Sequence, residues 1–315
     1  MKSPHIFTNI TLPVRLETGD MHDFSAAFYP ALEKTGEDTG EGAGEGAVFF
    51  CLPGGGNSKN YFDLGTVDGF DYSFAGRMNQ LGHHVVLMDH PGICDNTLPD
   101  NQPFLLPRRA ASYIAQYIDG LMQLPEFAGR RIIGTGHSMG GMVTVLTHAV
   151  RPYDAICMIG SSAGGLDWGL SDEEKTYLEK PAALEAALED LVMKRYGEAF
   201  SRYTAGPSAE SKVFGGESVA STDLLMQVQA PLFSAGATTS MLRGSFMPEV
   251  ESVEVPMFMG FGAHDLGIPP EQAPKDFINA PHVELMIVPE AGHNSFAFRG
   301  IEILCRSIDV WAKNL

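Results

Sequence analysis

The chain has little positive charge, few cysteines and no long apolar run. Its 21 lysines and arginines are outnumbered by 39 aspartates and glutamates, for a formal net charge of −18. That balance argues against a nucleic acid or an anionic membrane surface as partner and favours solubility. Nowhere do about 18 apolar residues follow one another, the length needed to span a bilayer, and the N-terminus lacks the basic start and apolar stretch of a leader. Taken as complete, the chain is expected to be cytoplasmic. The four cysteines, Cys51, Cys94, Cys157 and Cys305, are scattered and three lie in apolar runs, which fits reduced residues better than a disulfide framework. No C-x-x-C or H-E-x-x-H suggests a metal, and no G-x-x-x-x-G-K-[ST] suggests a bound phosphate. Gly134-x-Gly136-x-x-Met139 misses the dinucleotide fingerprint at its third glycine. Neither metal nor cofactor is expected.

What is present is a regular alternation. Short apolar runs, Ala47 to Leu52, His84 to Met88, Arg131 to Thr135, Ala155 to Ile159, Pro256 to Phe261 and Val283 to Val288, are separated by helical patterns at Tyr72 to Leu81, Pro107 to Leu124, Met139 to Val150 and Phe298 to Lys313. Strands alternating with helices in this way predict an α/β fold with a mostly parallel sheet covered on both faces. Residues 1 to 30 alternate like an antiparallel pair at the sheet edge. The stretch from Glu33 to Gly46, mostly Gly, Glu and Thr, is too polar to bury and is expected to be a mobile surface loop. The alternation breaks between about Gly165 and Glu249, where Leu170 to Tyr203 and Ser221 to Met247 are helical in composition. With 315 residues, the chain divides into a core of residues 1–165 and 250–315 and an inserted, mainly helical cap of residues 166–249. Some of the cap's inner face must line a pocket, Phe246 among its candidates, although most of its Met and aromatic residues belong in its own core.

The most informative stretch is Arg131 to His148, an apolar strand that runs into Gly136-His-Ser-Met-Gly140 and then a helix. A serine at so sharp a strand-to-helix turn has a strained backbone, and neighbours two residues away must be nearly side-chain-free. Gly136 and Gly140 meet that demand around Ser138. In a chain with 35 glycines the pattern also arises by chance, and Gly160-Ser-Ser-Ala-Gly164 is a second match after an apolar run. A helix without Pro follows Ser138, whereas loop residues follow Ser162. Ser138 is therefore the candidate nucleophile and Ser162 a candidate pocket-lining residue, with His137 beside the nucleophile.

A serine hydroxyl needs a histidine to take its proton and a carboxylate to orient that histidine. His293 follows the run Val283 to Val288, and Asp265 follows the run before it, both at strand ends. Asp89 precedes the nucleophile and fits a turn beside the pocket, Asp154 precedes a strand instead of following one, and His264 is too near the acid to reach back to the serine. The oxyanion of an acyl-transfer intermediate needs two backbone donors. Met139 N–H at the helix start is one. Leu52-Pro-Gly-Gly-Gly-Asn57, after the first strong strand, supplies the other.

These residues resemble the α/β-hydrolase superfamily over nearly the whole chain, in its serine-nucleophile branch with a helical cap. Gly136-His-Ser-Met-Gly-Gly141 is similar to the elbow of its esterase, lipase-like and carbon–carbon hydrolase members. Pro53-Gly54-Gly55-Gly56 looks like the oxyanion segment, which implies that Gly55 N–H is the second donor, with Gly54 and Gly56 beside the substrate. Asp89-His-Pro-Gly92 is similar to a turn of that family, and Asp265 and His293 match its acid and base positions. The common His-Gly before the oxyanion residue is Pro53-Gly54 here. Ser at position 138 argues against the haloalkane dehalogenase and epoxide hydrolase branches.

The expected activity is cofactor-independent hydrolysis of a carboxylic ester or lactone of a fairly apolar small molecule, through an acyl-enzyme. The same groups suit thioester, amide or carbon–carbon bond hydrolysis or acyl transfer, and a slow ligand sensor would use the same pocket. Substrate identity and oligomeric state are not encoded in these patterns.

Overall fold

One sheet of eight strands organises the computed structural model, which describes residues 5–32, 46–166, 169–202 and 206–315. The strands are β1 (Thr8–Arg15), β2 (Met21–Tyr29), β3 (Val48–Leu52), β4 (His84–Met88), β5 (Ile132–His137), β6 (Ala155–Ile159), β7 (Met257–His264) and β8 (Val283–Gly292). They lie in the order β1-β2-β4-β3-β5-β6-β7-β8. β2 is antiparallel to both β1 and β4, and the other pairings are parallel. The interior strands read as unbroken apolar runs because both faces are covered: all five residues of β3 and of β6 are buried. β1, at the edge, alternates instead. The Gly- and Glu-rich stretch 33–45 lies outside the described residues.

The helices between and beyond the strands are α1 (Phe74–Gln80), α2 (Pro107–Leu121), α3 (Met139–Val150), α4 (Asp172–Lys175), α5 (Pro181–Tyr196), α6 (Val219–Gln227), α7 (Ser234–Met241), α8 (Met247–Val250) and α9 (Ile301–Lys313). On one face, α2 and α3 share a core with α5, α7 and α8, and Phe50 points to that side. On the other, Phe49 and Cys51 meet α1, α6 and α9. Helix α9 buries Ile301, Leu304, Cys305, Ile308 and Trp311, one stripe at helical spacing. Helix α3 is buried nearly all round, because the sheet lies on one side of it and α7 and α8 on the other.

Segment boundaries follow local chemistry. Pro181 opens α5 at a position where its missing N–H costs nothing, and Gly197 ends the helix at φ 77°. The helix expected from Tyr72 begins only at Phe74, where Ser73 Oγ accepts the Gly76 N–H at 2.8 Å. Tyr72 belongs instead to a small hairpin of Asp63–Val67 and Phe70–Ser73, turned by Asp68 at φ 51° and Gly69 at φ 73°.

The carboxyl ends of β3, β5, β6, β7 and β8 face one edge, and the loops that leave them carry every residue of the candidate site. Open α/β sheets bind ligands at this edge. The inserted segment is the chain that leaves the sheet after Ile159, at the end of β6, and returns to it at Met257, the start of β7. Among the described residues no helix is long and apolar enough to cross a membrane.

Candidate active site

Ser138 stands between the last residue of β5 and the first of α3, at φ 52° and ψ −123°. Its N–H donates to the Ile159 carbonyl at 2.9 Å, and its own carbonyl accepts from Gly141 at 2.9 Å. Side chains at the flanking glycines are excluded by backbone: a Cβ on Gly136 would strike the Gly140 peptide, and one on Gly140 would strike the Leu52 and Pro53 carbonyls. The strained turn is thus locked between β3 and β6.

The parallel register of β7 and β8 brings the acid and the histidine side by side. A bulge between Gly262 and His264 shifts the register so that His264 pairs with Gly292, and the next residue on each strand is Asp265 or His293. His293 Nδ1 lies 2.6 Å from Asp265 Oδ1, and His293 Nε2 lies 2.9 Å from Ser138 Oγ. A carboxylate only accepts, so Nδ1–H donates to Asp265 and the Nε2 lone pair faces the serine hydroxyl. Asp265 also accepts main-chain N–H bonds from Leu266 at 2.8 Å and Gly262 at 3.2 Å. Burial pushes its carboxyl upward, but His293 and the two N–H donors outweigh that and hold it below the ordinary carboxylate value. It therefore remains the anionic partner at neutral pH.

His137 is fully buried, donates Nε2–H to the His293 carbonyl at 3.0 Å and stacks on Tyr61 with centroids 4.2 Å apart. Burial, then the neighbouring His293, lowers its imidazole to about 3. It is neutral, and its Nδ1 has no hydrogen-bond partner. Gly160 supplies the floor under the acid–histidine pair: at φ 56°, a Cβ there would lie 3.1 Å from both Asp265 Oδ2 and His293 Nδ1. The second serine motif therefore contributes its first glycine to the site.

The glycine loop after β3 approaches the nucleophile closely. A Cβ on Gly54 would sit 2.7 Å from His137 Nδ1 and 3.1 Å from Ser138 Cβ, and one on Gly55 would meet Leu232 at 2.7 Å. The loop is held on both sides. His90 Nε2–H donates to the Pro53 carbonyl at 2.8 Å, and Asp89 accepts from Lys59 N–H at 2.6 Å and Lys59 Nζ at 2.9 Å. From the inserted segment, Ala230 N–H donates to the Gly56 carbonyl at 2.9 Å and Val228 accepts from Ser58 N–H at 2.8 Å. Burial lowers the His90 imidazole below its ordinary value, so it is neutral.

A cavity of about 270 Å³ opens over Ser138 and His293. Gly54, Gly55, Met139, His137 and Ser162 line it together with Asn57, Gln229, Leu166, Leu232, Met241 and Leu266. None of the described lining residues is Asp, Glu, Lys or Arg. Two residues expected at the wall lie elsewhere. Gly56 turns away at φ 77° and uses its carbonyl on Ala230. Phe246, 1 % exposed, is sunk in the core shared with α2, α3 and α7, because the chain just before α8 packs inward there. Asn57, Gln229, Leu232 and Met241 were not singled out as wall residues; for the last three, nothing in their sequence spacing marks which side of the insert meets the sheet. No group of three or more His, Cys, Asp or Glu side chains among the described residues could hold a metal ion.

A family model described as the alpha/beta hydrolase family matches residues 49–302. The chain belongs to this family. Solved alpha/beta hydrolase-like structures share its fold at low identity. A thermophilic esterase from Thermogutta terrifontis is 14% identical, with 98% of each chain covered and a TM-score of 0.60. A monoacylglycerol lipase from Paleococcus ferrophilus is 16% identical, covering 92% of this chain and 98% of its own, with a TM-score of 0.60. MenH from S. aureus is 16% identical over 92% of this chain and 99% of its own, with a TM-score of 0.57. No curated relative matches the sequence of this alpha/beta hydrolase.

Proposed function

We propose that the protein is a serine hydrolase that cleaves a carboxylic ester or lactone of a small, neutral and fairly apolar molecule. The observation that carries this reading is the continuous chain from Asp265 through His293 to Ser138 Oγ, with links of 2.6 and 2.9 Å, ending in the cavity. His293 takes the serine proton through Nε2 as Oγ attacks the carbonyl carbon, and Asp265 stabilises the imidazolium that forms. The N–H groups of Gly55 and Met139 receive the developing oxyanion, Met139 with the added field of the α3 N-terminus. The imidazolium then protonates the departing alkoxide oxygen, leaving an acyl-Ser138. Water, deprotonated by the same Nε2, attacks the acyl carbon, and the proton returns to Oγ as the acid departs.

The wall supports the substrate class. Leu166, Leu232, Met241 and Leu266 offer apolar contact, while an anionic substrate would find no cationic partner among the described lining residues. Residues 166–249 act in this reading as a cap on the core formed by 1–165 and 250–315. The test is a fluorophosphonate serine probe on the wild type, Ser138→Ala and Ser162→Ala, with the labelled peptide identified by mass spectrometry. Labelling lost only in Ser138→Ala is expected and is followed by a panel of neutral esters and lactones. Labelling retained in Ser138→Ala overturns the assignment.

A further inference from the structure

We propose that His90 is a positioning residue for oxyanion stabilisation, aiming the Gly54–Gly55 segment by holding the Pro53 carbonyl. The inference rests on the hydrolase reading above. Successive glycines at 54, 55 and 56 give this loop more backbone freedom than any other tripeptide; within it only a long bond, Asn57 N–H to the Gly54 carbonyl at 3.3 Å, restrains the peptide that carries the Gly55 N–H, so groups outside the loop must help to aim it. Pro53 has no N–H, and its carbonyl is the only main-chain polar group by which residue 53 is tied. That oxygen belongs to the planar peptide joining Pro53 to Gly54. His90 Nε2–H, at 2.8 Å, sets the orientation of this plane, which leaves two soft torsions, both at Gly54, before the Gly55 peptide N–H.

His90 is itself well placed to hold still. It is 1 % exposed, lies two residues beyond the end of β4, and its ring lies 6.3 Å from that of Phe233, just before α7. The preceding residue, Asp89, grips the other end of the same loop through Lys59 N–H and Nζ. Two consecutive residues at the end of one strand therefore bracket the five residues 54–58. Asp89 is the poorer probe of the pair, since its removal would strand the buried Lys59 ammonium without its inner partner. His90 is neutral and is not among the residues that line the cavity, so its loss should act on the site through the loop.

The experiment compares wild type, His90→Gln and His90→Leu for the rate of covalent labelling of Ser138 by a fluorophosphonate, whose P=O oxygen occupies the same donors as a carbonyl oxyanion. Glutamine places an N–H close to where Nε2–H was, and leucine places none. The expected result is labelling slowed about 10- to 100-fold in His90→Leu and restored to within about threefold of wild type in His90→Gln, the scale of a small misplacement of transition-state donors. With a hydrolysed ester, the loss should fall on kcat, with KM within about twofold. Equal labelling of wild type and a folded His90→Leu overturns the inference and leaves the hydrolase reading standing. A rise in KM at unchanged kcat also overturns it, because that marks a wall residue. An unlabelled wild type overturns both. If His90→Leu does not fold, His90→Asn replaces it: its amide is one bond too short for Pro53, so labelling as fast as in His90→Gln counts against the inference and slower labelling supports it.

Discussion

The main-chain N–H of His293 donates to the carbonyl of Val213 at 2.8 Å. The loop that carries the candidate base is therefore suspended from the inserted segment as well as from β8. Asn294 repeats the link, giving Nδ2–H to the Phe214 carbonyl at 2.7 Å. A few residues on, Glu217 accepts from Tyr72 OH at 2.6 Å, from Arg299 N–H at 2.6 Å and from Arg299 Nε at 3.1 Å, which ties strip 212–217 to the hairpin and to the start of α9.

Glu217→Ala should loosen this strip from a residue that is not itself part of the cavity wall. We expect a loss of about 1–2 kcal/mol in stability, the scale of a partly buried charged acceptor removed from several donors. Amide exchange at His293 should rise more than exchange in β3, and turnover should fall. Uniform exchange in both places would argue that the strip does not position the histidine.

At Ser138 two substitutions separate chemistry from strain. Ser138→Ala should lower turnover by more than about a thousandfold while the fold is kept. Ser138→Gly should be equally inactive yet more stable, because φ 52° and ψ −123° suit glycine. Relief of about 1–3 kcal/mol of strain exceeds the roughly 0.5–1 kcal/mol entropic cost of glycine. Melting curves of the two variants give the comparison directly.

Asp265→Asn should leave the structure intact but turn the amide N–H toward His293 Nδ1, favouring the wrong tautomer, with the proton on Nε2. A fall in kcat of about three to four orders of magnitude is expected on the precedent of other triads. Steady-state kinetics beside a thermal melt would distinguish this from unfolding.

Gly160→Ala should hurt through crowding. The new methyl would sit 3.1 Å from both Asp265 Oδ2 and His293 Nδ1, at a backbone φ of 56°. Both effects disfavour it, so stability should drop by about 1–3 kcal/mol. Activity measured well below the melting temperature should fall as well, whereas Gly129→Ala, with φ 75° and open space around it, should strain the backbone without altering kcat.

Acid should destabilise the protein from about neutral pH downward. His137 is held at about 3 when folded against an ordinary value of 6.5. Between those values the unfolded chain binds a proton that the native state does not, so stability falls as pH falls, by on the order of 1 kcal/mol per pH unit for this group. Asp265 acts in the same direction: its value is depressed in the fold, so its contribution is present above the unfolded value and lost as pH drops through the folded one. Urea titrations between pH 7 and 4 should show the decline, with a shallower slope in His137→Gln.

The sheet was legible because its strands announce themselves chemically. His84–Met88 and Ala155–Ile159 are bounded as their apolar runs suggested, since burial on both faces leaves His84, at the start of the first, as their one strongly polar residue. Helix α3 likewise begins and ends where its pattern does. The hairpin turned by Asp68 and Gly69 was missed although that dipeptide is a hairpin signal; Tyr72 and Ser73, the end of its second strand, had been read as the start of a helix. The order of Ser138, Asp265 and His293 along the chain was readable because strand ends can be counted. The other contributors were not. Gly160 matters for what a Cβ would touch, and Phe246 and Leu232 differ only in which way the insert packs, which spacing within one segment does not encode.

Ser138 and His293, joined at 2.9 Å, are 155 residues apart in sequence. Between them the chain must complete β6, fold the whole inserted segment and add β7 and β8. Contacts of such long range close late, because loop entropy is lost before the contact returns anything. During refolding, helical signal should therefore recover before the serine becomes reactive, and a ribosome-bound chain stopped before β8 should carry a formed elbow that is chemically silent.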